Sequence, residues 1–498
     1  MRELVAALDQ GTTSTRCIIF DAAGGTRGSA QLEHRQLLAR PGWVAHDAAE
    51  IWERTHHVVV EALHRSGATG ADLAGIGIAN QRETVVVWDR RSGRPLADAI
   101  VWQDTRTAPE VSTLIDQGHA SLLIERTGLP PSTYFSATKL AWLLEHTEGL
   151  REAASRGDAL FGTIDSWLVW KLTGGAAHVI DVTNASRTQL MDLERRCWDE
   201  ELLDLFNVPM AMLPRIVPSI GPIATTSAEG PFGASLPIAA VLGDQQAAMV
   251  GQACFSAGDV KCTYGTGSFV LLNTGERCVR SSHGLLSTVC YERAGQPARY
   301  ALEGSVAVTG AAVQWLRDQL GVIAEARDIE ALAASVPDSG GLVFVPAFSG
   351  LYAPRWRSDA RGVIVGLTRA HTKGHLARAT LEAIAQQCGE VVEAMCQETG
   401  TRLDELKVDG GVAANDLAMQ LQADVLGVEV VRPAMIETTA LGAASAAGLG
   451  LGLYQDEEAL RAAWREGGRF HPTWTEDVRA SARRRWDAAV SRALDWEG

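Results

Sequence analysis

The chain is 498 residues long, 46% hydrophobic and 21% charged, with a formal net charge of −15 and a pI near 5.3. That length exceeds what one hydrophobic core serves and predicts two domains, while the acidic balance excludes nucleic acid or an anionic membrane as the main partner. Eight scattered cysteines without a C-x-x-C pair, no charged-then-apolar leader and no apolar run of about 18 residues argue against a zinc ribbon, a thioredoxin motif and membrane insertion. The expectation is free thiols in a cytoplasmic protein.

In chain order, 5–8 reads as a strand running into Asp9-Gln10-Gly11-Thr12-Thr13-Ser14-Thr15, and 16–20 as its return strand. Asp47 opens a helix to about Arg65, with Ile51, Thr55, Val58 and Ala62 on one face. Runs 74–78, 84–88 and 99–102 read as short buried strands. Two of them end in polar clusters, Asn80-Gln81-Arg82-Glu83 and Gln103-Asp104-Thr105-Arg106. Polar side chains at strand ends of an α/β protein are where ligands sit. Segment 134–146 passes from a Pro-Pro loop into a helix, 161–171 fits helix and strand equally, 173–197 reads as irregular, and 213–236 as a connection with short strands.

The stretch 241–269 then repeats the opening pattern. Residues 238–242 form an apolar strand ending in Gly243-Asp244-Gln245-Gln246, and a helix is expected over 246–253. Segment 260–264 is a strand, Gly265-Thr266-Gly267 a tight turn, and 268–272 its return. A glycine turn lets backbone N–H groups face phosphate oxygens because no Cβ intervenes. An Asp at the mouth of a strand suits base or metal chemistry beside a phosphate. Two such hairpins half a chain apart predict two related domains facing one nucleotide.

Beyond it, 302–305 leads into a helix over 306–320 that carries Gly310 and Gln314 one turn apart. Strands at 342–348 and 362–367 flank a loop with Tyr352, Pro354 and Trp356, and 375–399 is a long helix. Strand 406–409 runs into Gly410-Gly411, and Asn415 starts another helix. Segment 428–431 reads as a strand, 438–448 as a small-residue helix, and the C-terminal segment as amphipathic helix without chemistry.

No G-x-x-x-x-G-K-[ST], complete G-x-G-x-x-G, H-R-D with D-F-G, H-E-x-x-H or G-x-S-x-G occurs. This removes P-loop NTPases, dinucleotide folds, protein kinases, zincins and esterase-type nucleophiles. The residues alone leave a small-molecule kinase, a chaperone-type ATPase, an actin-like filament ATPase and a binding protein with a dead nucleotide site all open.

Nearly end to end, ALDQGTTSTR (7–16), NQRET (80–84), VWQDTRT (101–107), YFSATK (134–139), DVTNASRT (181–188), GDQQAA (243–248), YGTGSF (264–269), ALEGSV (301–306), QWLRD (314–318), VPAFSGLYAPRW (345–356) and VDGG (409–411) resemble the FGGY carbohydrate kinase family. Segments 134–146 and 362–382 fit its two signatures. The resemblance implies an α/β fold of two ribonuclease-H-like domains, of the actin, hexokinase and chaperone ATPase type, flanking a central catalytic cleft. It implies an N-terminal domain over 1–250 for glycerol and phosphates and a C-terminal domain over 251–498 for the nucleotide. The implied reaction carries the γ-phosphoryl of ATP, with Mg2+, to the 3-hydroxyl of glycerol, the first step of glycerol catabolism. NQRE and the other pocket motifs match members acting on glycerol rather than on xylulose, ribulose or gluconate.

Carried over by motif, the glycerol pocket comprises Arg82, Glu83, Trp102, Tyr134, Asp244, Gln245 and Phe269. The polar members can satisfy three hydroxyls, and Trp102 and Phe269 can cover the C–H side of a three-carbon polyol. Such a site rejects an analogue lacking a hydroxyl because its own groups are left unpaired. Asp244 is the implied general base and Asp9 a metal-associated carboxylate. Thr12, Thr13, Ser14 and Arg16 face the β- and γ-phosphates, Thr266 reaches them from the other domain, and Gly310, Gln314, Gly411 and Asn415 line the adenosine side. Thr15 and Cys17 read instead as strand residues, and Gln246 as the start of a helix. The family's oligomers imply a homodimer or homotetramer. Its fructose 1,6-bisphosphate loop and phosphorylatable His have no counterpart here, because 228–235 holds no Arg and 225–240 no His. The rival readings are a non-catalytic scaffold and a kinase for a larger polyol or ketopentose.

Overall fold

The computed structural model describes residues 3–496, and two mixed β-sheets organise them. The first begins as an antiparallel meander of β1 (Leu4–Gln10), β2 (Ser14–Phe20) and β3 (Thr26–Glu33). Helix α1 (Ala48–Ser66) covers β2 and β3. It forms there because Asp47 caps it, accepting from the N–H groups of Ala49 and Glu50, and Gly67 ends it at φ 68°. Its buried stripe includes Ile51, Thr55, Val58 and Ala62, the face expected from the spacing. Strand β4 (Leu73–Asn80) joins β1 in parallel. The edge is completed by β5 (Ile220–Thr225), antiparallel to β6 (Pro237–Gly243), which runs parallel to β4. The order is β5-β6-β4-β1-β2-β3.

The second sheet repeats this plan. Strands β7 (Val260–Tyr264) and β8 (Ser268–Gly275) form a hairpin; β9 (Leu286–Tyr291) and β10 (Arg299–Val306) extend it antiparallel. On the other side β11 (Glu405–Asp409) and β12 (Glu429–Pro433) add in parallel, and β13 (Glu466–Phe470) closes the edge antiparallel. The order is β9-β10-β8-β7-β11-β12-β13. Apart from the extra strand β9, each sheet is a three-strand meander, two parallel strands and an antiparallel edge. This is the two-domain α/β architecture expected.

Two helices leave corresponding strands and cross. Helix α2 (Asp244–Gly251) follows β6, and α3 (Thr438–Gly450) follows β12 yet packs on β1, β4 and β6 of the first sheet. The crossing is backbone against backbone. A Cβ on Gly442 would stand 1.8 Å from the carbonyl oxygen of Ala247, and one on Gly251 2.0 Å from that of Thr438. The small-residue composition of 438–448 therefore serves a helix contact. No helix among the described residues is long and apolar enough to cross a membrane.

Several boundaries differ from the expectation. Asp9 and Gln10 lie inside β1, and the helix after β6 begins at Asp244. Segment 302–306 is strand, and its helix starts only at Gly310: Glu303, Gly304 and Ser305 look like a turn but are paired to β8. Segment 161–171 divides into a strand, Ala159–Gly162, and a helix, Ile164–Leu172. The polar stretch 179–192 is buried throughout. Most of its polar atoms are paired: Asp181 caps the turn Val182–Ala185, and the Asn80 and Asn184 amides bond reciprocally at 2.9 Å. The C-terminal segment contributes β13 as well as helix, with α4 (Glu476–Val490) burying Trp486.

Candidate active site

Parallel registers bring the predicted residues to one edge. Gln10 is level with Asn80, and Asn80 with Gly243, so residues 11–13, 81–83 and Asp244 all leave the first sheet together. Thr263 is level with Asp409, so Gly265-Thr266-Gly267 and Gly410-Gly411 leave the second sheet together. Ligands of parallel sheets sit beyond these carboxyl ends.

The seven expected pocket residues form one connected group. The Trp102 ring meets Tyr134 edge-on at 5.5 Å and Phe269 at 6.3 Å, so side chains from both halves make an aromatic wall. The Arg82 guanidinium lies 5.9 Å over the Phe269 ring, and its Nε is 3.2 Å from Oδ1 of Asp244. Glu83 sits at φ 61°, a left-handed position that a non-glycine residue adopts only when its surroundings hold it there. Ser136 does part of that, donating 3.0 Å to the Glu83 carbonyl. Gln245 accepts from the ammonium of buried Lys261 through Oε1. An ammonium has only donors, so the Gln245 oxygen is committed and its NH2 is left to donate elsewhere.

Behind this wall lie three charged residues to which the sequence reading gave no role. The Glu303 carboxylate, fully buried on β10, accepts from Arg82 at 2.5 and 3.0 Å and from Arg187 at 3.1 Å. Burial alone would raise its pKa, but Arg187 and Arg82 outweigh that and hold it at about 2. Arg187 Nε also donates 2.6 Å to Glu83, whose pKa burial keeps above the usual carboxylate range. Burial pushes Lys261 below the ordinary lysine value. Arg187 and Glu303 stand inside the motifs DVTNASRT and ALEGSV, where a charge amid small and apolar residues was the available signal.

The residues expected on the phosphate side stand on the two hairpins. Gly11 N–H donates to the Ser14 carbonyl at 2.9 Å, and the Thr12 carbonyl accepts from His34 and Gln36 at 3.0 Å each. The Thr12 hydroxyl accepts from Trp102 Nε1 at 2.9 Å, which ties this hairpin to the aromatic wall. Thr13 is exposed, and Ser14 accepts from Gln31 at 2.9 Å. Arg16 pairs with Glu437, the residue preceding α3, and with Gln31. Asp9 is pushed up to about 7, first by burial; Arg16 opposes this, while Asp244 and Glu437 add to it. Thr15 and Cys17 are buried strand residues, as read, and Gln246, within α2, bonds the Val289 carbonyl at 3.1 Å.

On the second sheet, the Gly265 carbonyl accepts from Gly310 N–H and the Thr266 carbonyl from Ala311 N–H, each at 3.0 Å. A Cβ on Gly310 would lie 2.7 Å from the Gly265 oxygen, which is why glycine stands there. Gln314 is exposed one turn further along the same helix. Gly410 has φ 86°, and a Cβ on it would lie 2.5 Å from the Tyr264 oxygen, whereas Gly411 faces open space. Asn415 caps the helix Asp416–Leu426, accepting from Ala418 N–H at 2.8 Å. Among the described residues, no group of three or more His, Cys, Asp or Glu side chains forms a ready-made metal cage.

Comparison with known proteins agrees with this geometry. The model of the N-terminal domain of the FGGY family of carbohydrate kinases matches residues 4–251, and that of its C-terminal domain residues 260–451. A glycerol kinase of Mycobacterium tuberculosis (strain ATCC 25618 / H37Rv) is 58% identical over 99% of this chain and 96% of its own length. Glycerol kinase 1 of Streptomyces coelicolor is 57% identical over 100% of this chain and 99% of its own. The crystal structure of Plasmodium falciparum glycerol kinase with ADP superposes with a TM-score of 0.93 at 37% identity, covering 99% of this chain and 98% of that one.

Proposed function

Because the chain belongs to the FGGY family of carbohydrate kinases, we propose that it phosphorylates glycerol at the 3-hydroxyl with ATP, releasing sn-glycerol 3-phosphate and ADP, the first step of glycerol catabolism. The observation that carries this reading is the small pocket in which the Trp102, Tyr134 and Phe269 rings face Arg82, Glu83, Asp244 and Gln245. The rings cover the C–H side of a triol while the polar groups take its hydroxyls. A four- or five-carbon acceptor needs a roomier pocket than one walled by Trp102 and Phe269, whose ring centres stand 6.3 Å apart.

In this reading Asp244 accepts the proton of the attacking hydroxyl and orients its lone pair. The Arg82 contact at 3.2 Å holds the carboxylate in place. Phosphoryl transfer demands mainly positioning and charge neutralisation, so the hairpins carrying Thr12, Thr13, Ser14 and Thr266 aim N–H and hydroxyl groups at the phosphates. Arg16 exchanges Glu437 for a phosphate. Gly310, Gln314, Gly411 and Asn415 bound the adenosine side. Asp9 fits a hard cation: burial first, and the Asp244 and Glu437 carboxylates in lesser part, raise its pKa, and a divalent ion would favour its ionised form. When bound with the phosphates, Mg2+ offsets the charge of the transferring group. Residues 1–250 then hold acceptor and phosphates, and residues 251–498 hold the nucleotide. The proposed setting is a cytoplasmic homodimer or homotetramer.

The test is acceptor-dependent ADP release with MgATP and glycerol, dihydroxyacetone, erythritol, xylulose and ribulose, for wild type and Asp244→Asn. A large preference for glycerol is expected. The variant should lose at least about 10²-fold in kcat while glycerol still raises its melting temperature. Preference for a longer acceptor overturns the substrate, and near-normal turnover of the variant removes Asp244 from the base role.

A further inference from the structure

The proposed pocket contains two buried guanidiniums, Arg82 and Arg187, with side-chain exposures of 2% and 0%. Planar arginine forks recognise carboxylates and phosphates, so two of them side by side make an anion site unless cancelled. A neutral polyol needs the opposite. Two carboxylates do the cancelling. Glu83 comes from the same half of the chain and takes one bond from Arg187. Glu303 comes from β10 of the other sheet and takes three. Each terminal nitrogen of Arg82 gives one N–H to Glu303 and keeps a second, and Nε lies toward Asp244. Arg187 keeps only Nη1 unpartnered, with its guanidinium 5.6 Å from the Tyr134 ring centre and 5.4 Å from that of Phe135.

We propose that Glu303 is a specificity-determining residue: by occupying the forks of Arg82 and Arg187 it holds the pocket neutral, so that an uncharged triol is favoured over three-carbon acids and over the phosphorylated product. This deepens the reading of the site as a glycerol pocket and rests on it. These four groups sum to zero charge, and the other two charged side chains of the pocket, Asp244 beside Arg82 and Lys261 beside Gln245, offset each other. Glu303→Gln keeps the shape and leaves one positive charge uncancelled; adding Arg187→Met restores zero. A carboxylate that is only a structural strut does not follow this sum.

The experiment measures glycerol KM and kcat, together with affinity for D-glycerate and glycerol 3-phosphate by titration calorimetry. Wild type, Glu303→Gln and Glu303→Gln/Arg187→Met are compared. Glu303→Gln is expected to raise glycerol KM yet bind both anions on the order of tenfold more tightly, as one unscreened charge at contact range produces. The double variant is expected to return the anion affinity to the wild-type level. If Glu303→Gln weakens glycerol and both anions together, or if the double variant keeps the tightened anion binding, the proposal is overturned. Should Glu303→Gln fail to fold, Arg187→Met alone leaves the group one charge negative. It is then expected to weaken glycerol 3-phosphate several-fold relative to glycerol, and an unchanged ratio overturns the proposal. Phe269→Ala separates the two readings. If it leaves glycerol KM untouched the pocket reading fails; if it raises KM while the anion ratios above stay fixed, only the role of Glu303 fails.

Discussion

Asp9 shows how one side chain couples stability to chemistry. Its carboxyl is raised from the ordinary 3.8 to about 7, chiefly by burial, with Arg16 opposing and Asp244 and Glu437 adding. The folded protein therefore holds a proton that the unfolded chain releases, and stability falls as the pH rises from about 4 to 7. Below that window nothing is lost; above it the loss is complete. Asp9→Asn, which cannot ionise, is expected to melt roughly 2–4 °C above wild type at pH 8 without ligands and to converge with it at pH 4. Its phosphotransfer should collapse. Equal melting temperatures across the whole range would show that burial does not hold a proton on Asp9. Asp9 and Asp244 drew attention in the sequence because each stands where an apolar run meets a glycine or hydroxyl turn; the structure puts Asp9 one residue inside the end of β1 and Asp244 at the first position of α2. Arg187, Glu303 and Lys261 drew none, because a lone charge within a buried run carries no periodicity, and its partners lie far along the chain. Glu303 and Arg82 are 221 residues apart.

The crossing of α2 and α3 bears most directly on catalysis at the level of secondary structure. Asp244 is the first residue of α2, and Glu437 precedes α3, so the crossing sets how the two helix starts stand around the phosphate site. A methyl group at Gly442 has nowhere to go, with the Ala247 oxygen 1.8 Å away. Gly442→Ala should force the helices apart, cost about 1–3 kcal/mol in urea unfolding, and lower kcat through displacement of Asp244. Unfolding and turnover both at wild-type values would mean that the contact is slack. The elements misread from sequence share one cause. Glu303-Gly304-Ser305 and the stretch 179–192 are polar and glycine-bearing, and polarity ordinarily marks loops. Here the side chains are buried and several of their polar atoms find partners far along the chain, as Arg187 finds Glu303, which local pattern cannot reveal. Strand β13, with two glycines, gains its place by pairing with β12.

Across the whole molecule, acceptor and nucleotide groups come from both sheets. Arg82, Glu83 and Asp244 leave the first, and Phe269 and Glu303 stand on the second. A ligand pair filling this region shares the cost of ordering the two halves, so each should favour the other. Glycerol and a non-hydrolysable ATP analogue together are expected to raise the melting temperature by more than the sum of their separate shifts. A merely additive rise would mean that the halves respond independently.

Taken alone, the amino-acid order was enough to specify the strand–turn–strand hairpins at both 5–20 and 260–272 and the helices with clear caps. These depend on contacts within a few residues, where backbone sterics and side-chain alternation act. Only the tertiary structure decided that the two hairpins belong to sheets of matching plan, that α3 crosses to the first sheet, and that Arg82 and Arg187 are bonded to Glu83 and Glu303 in one buried group. Those outcomes depend on parallel register and on burial across hundreds of residues, and the free energy of a buried charge is set by partners that chain proximity does not name.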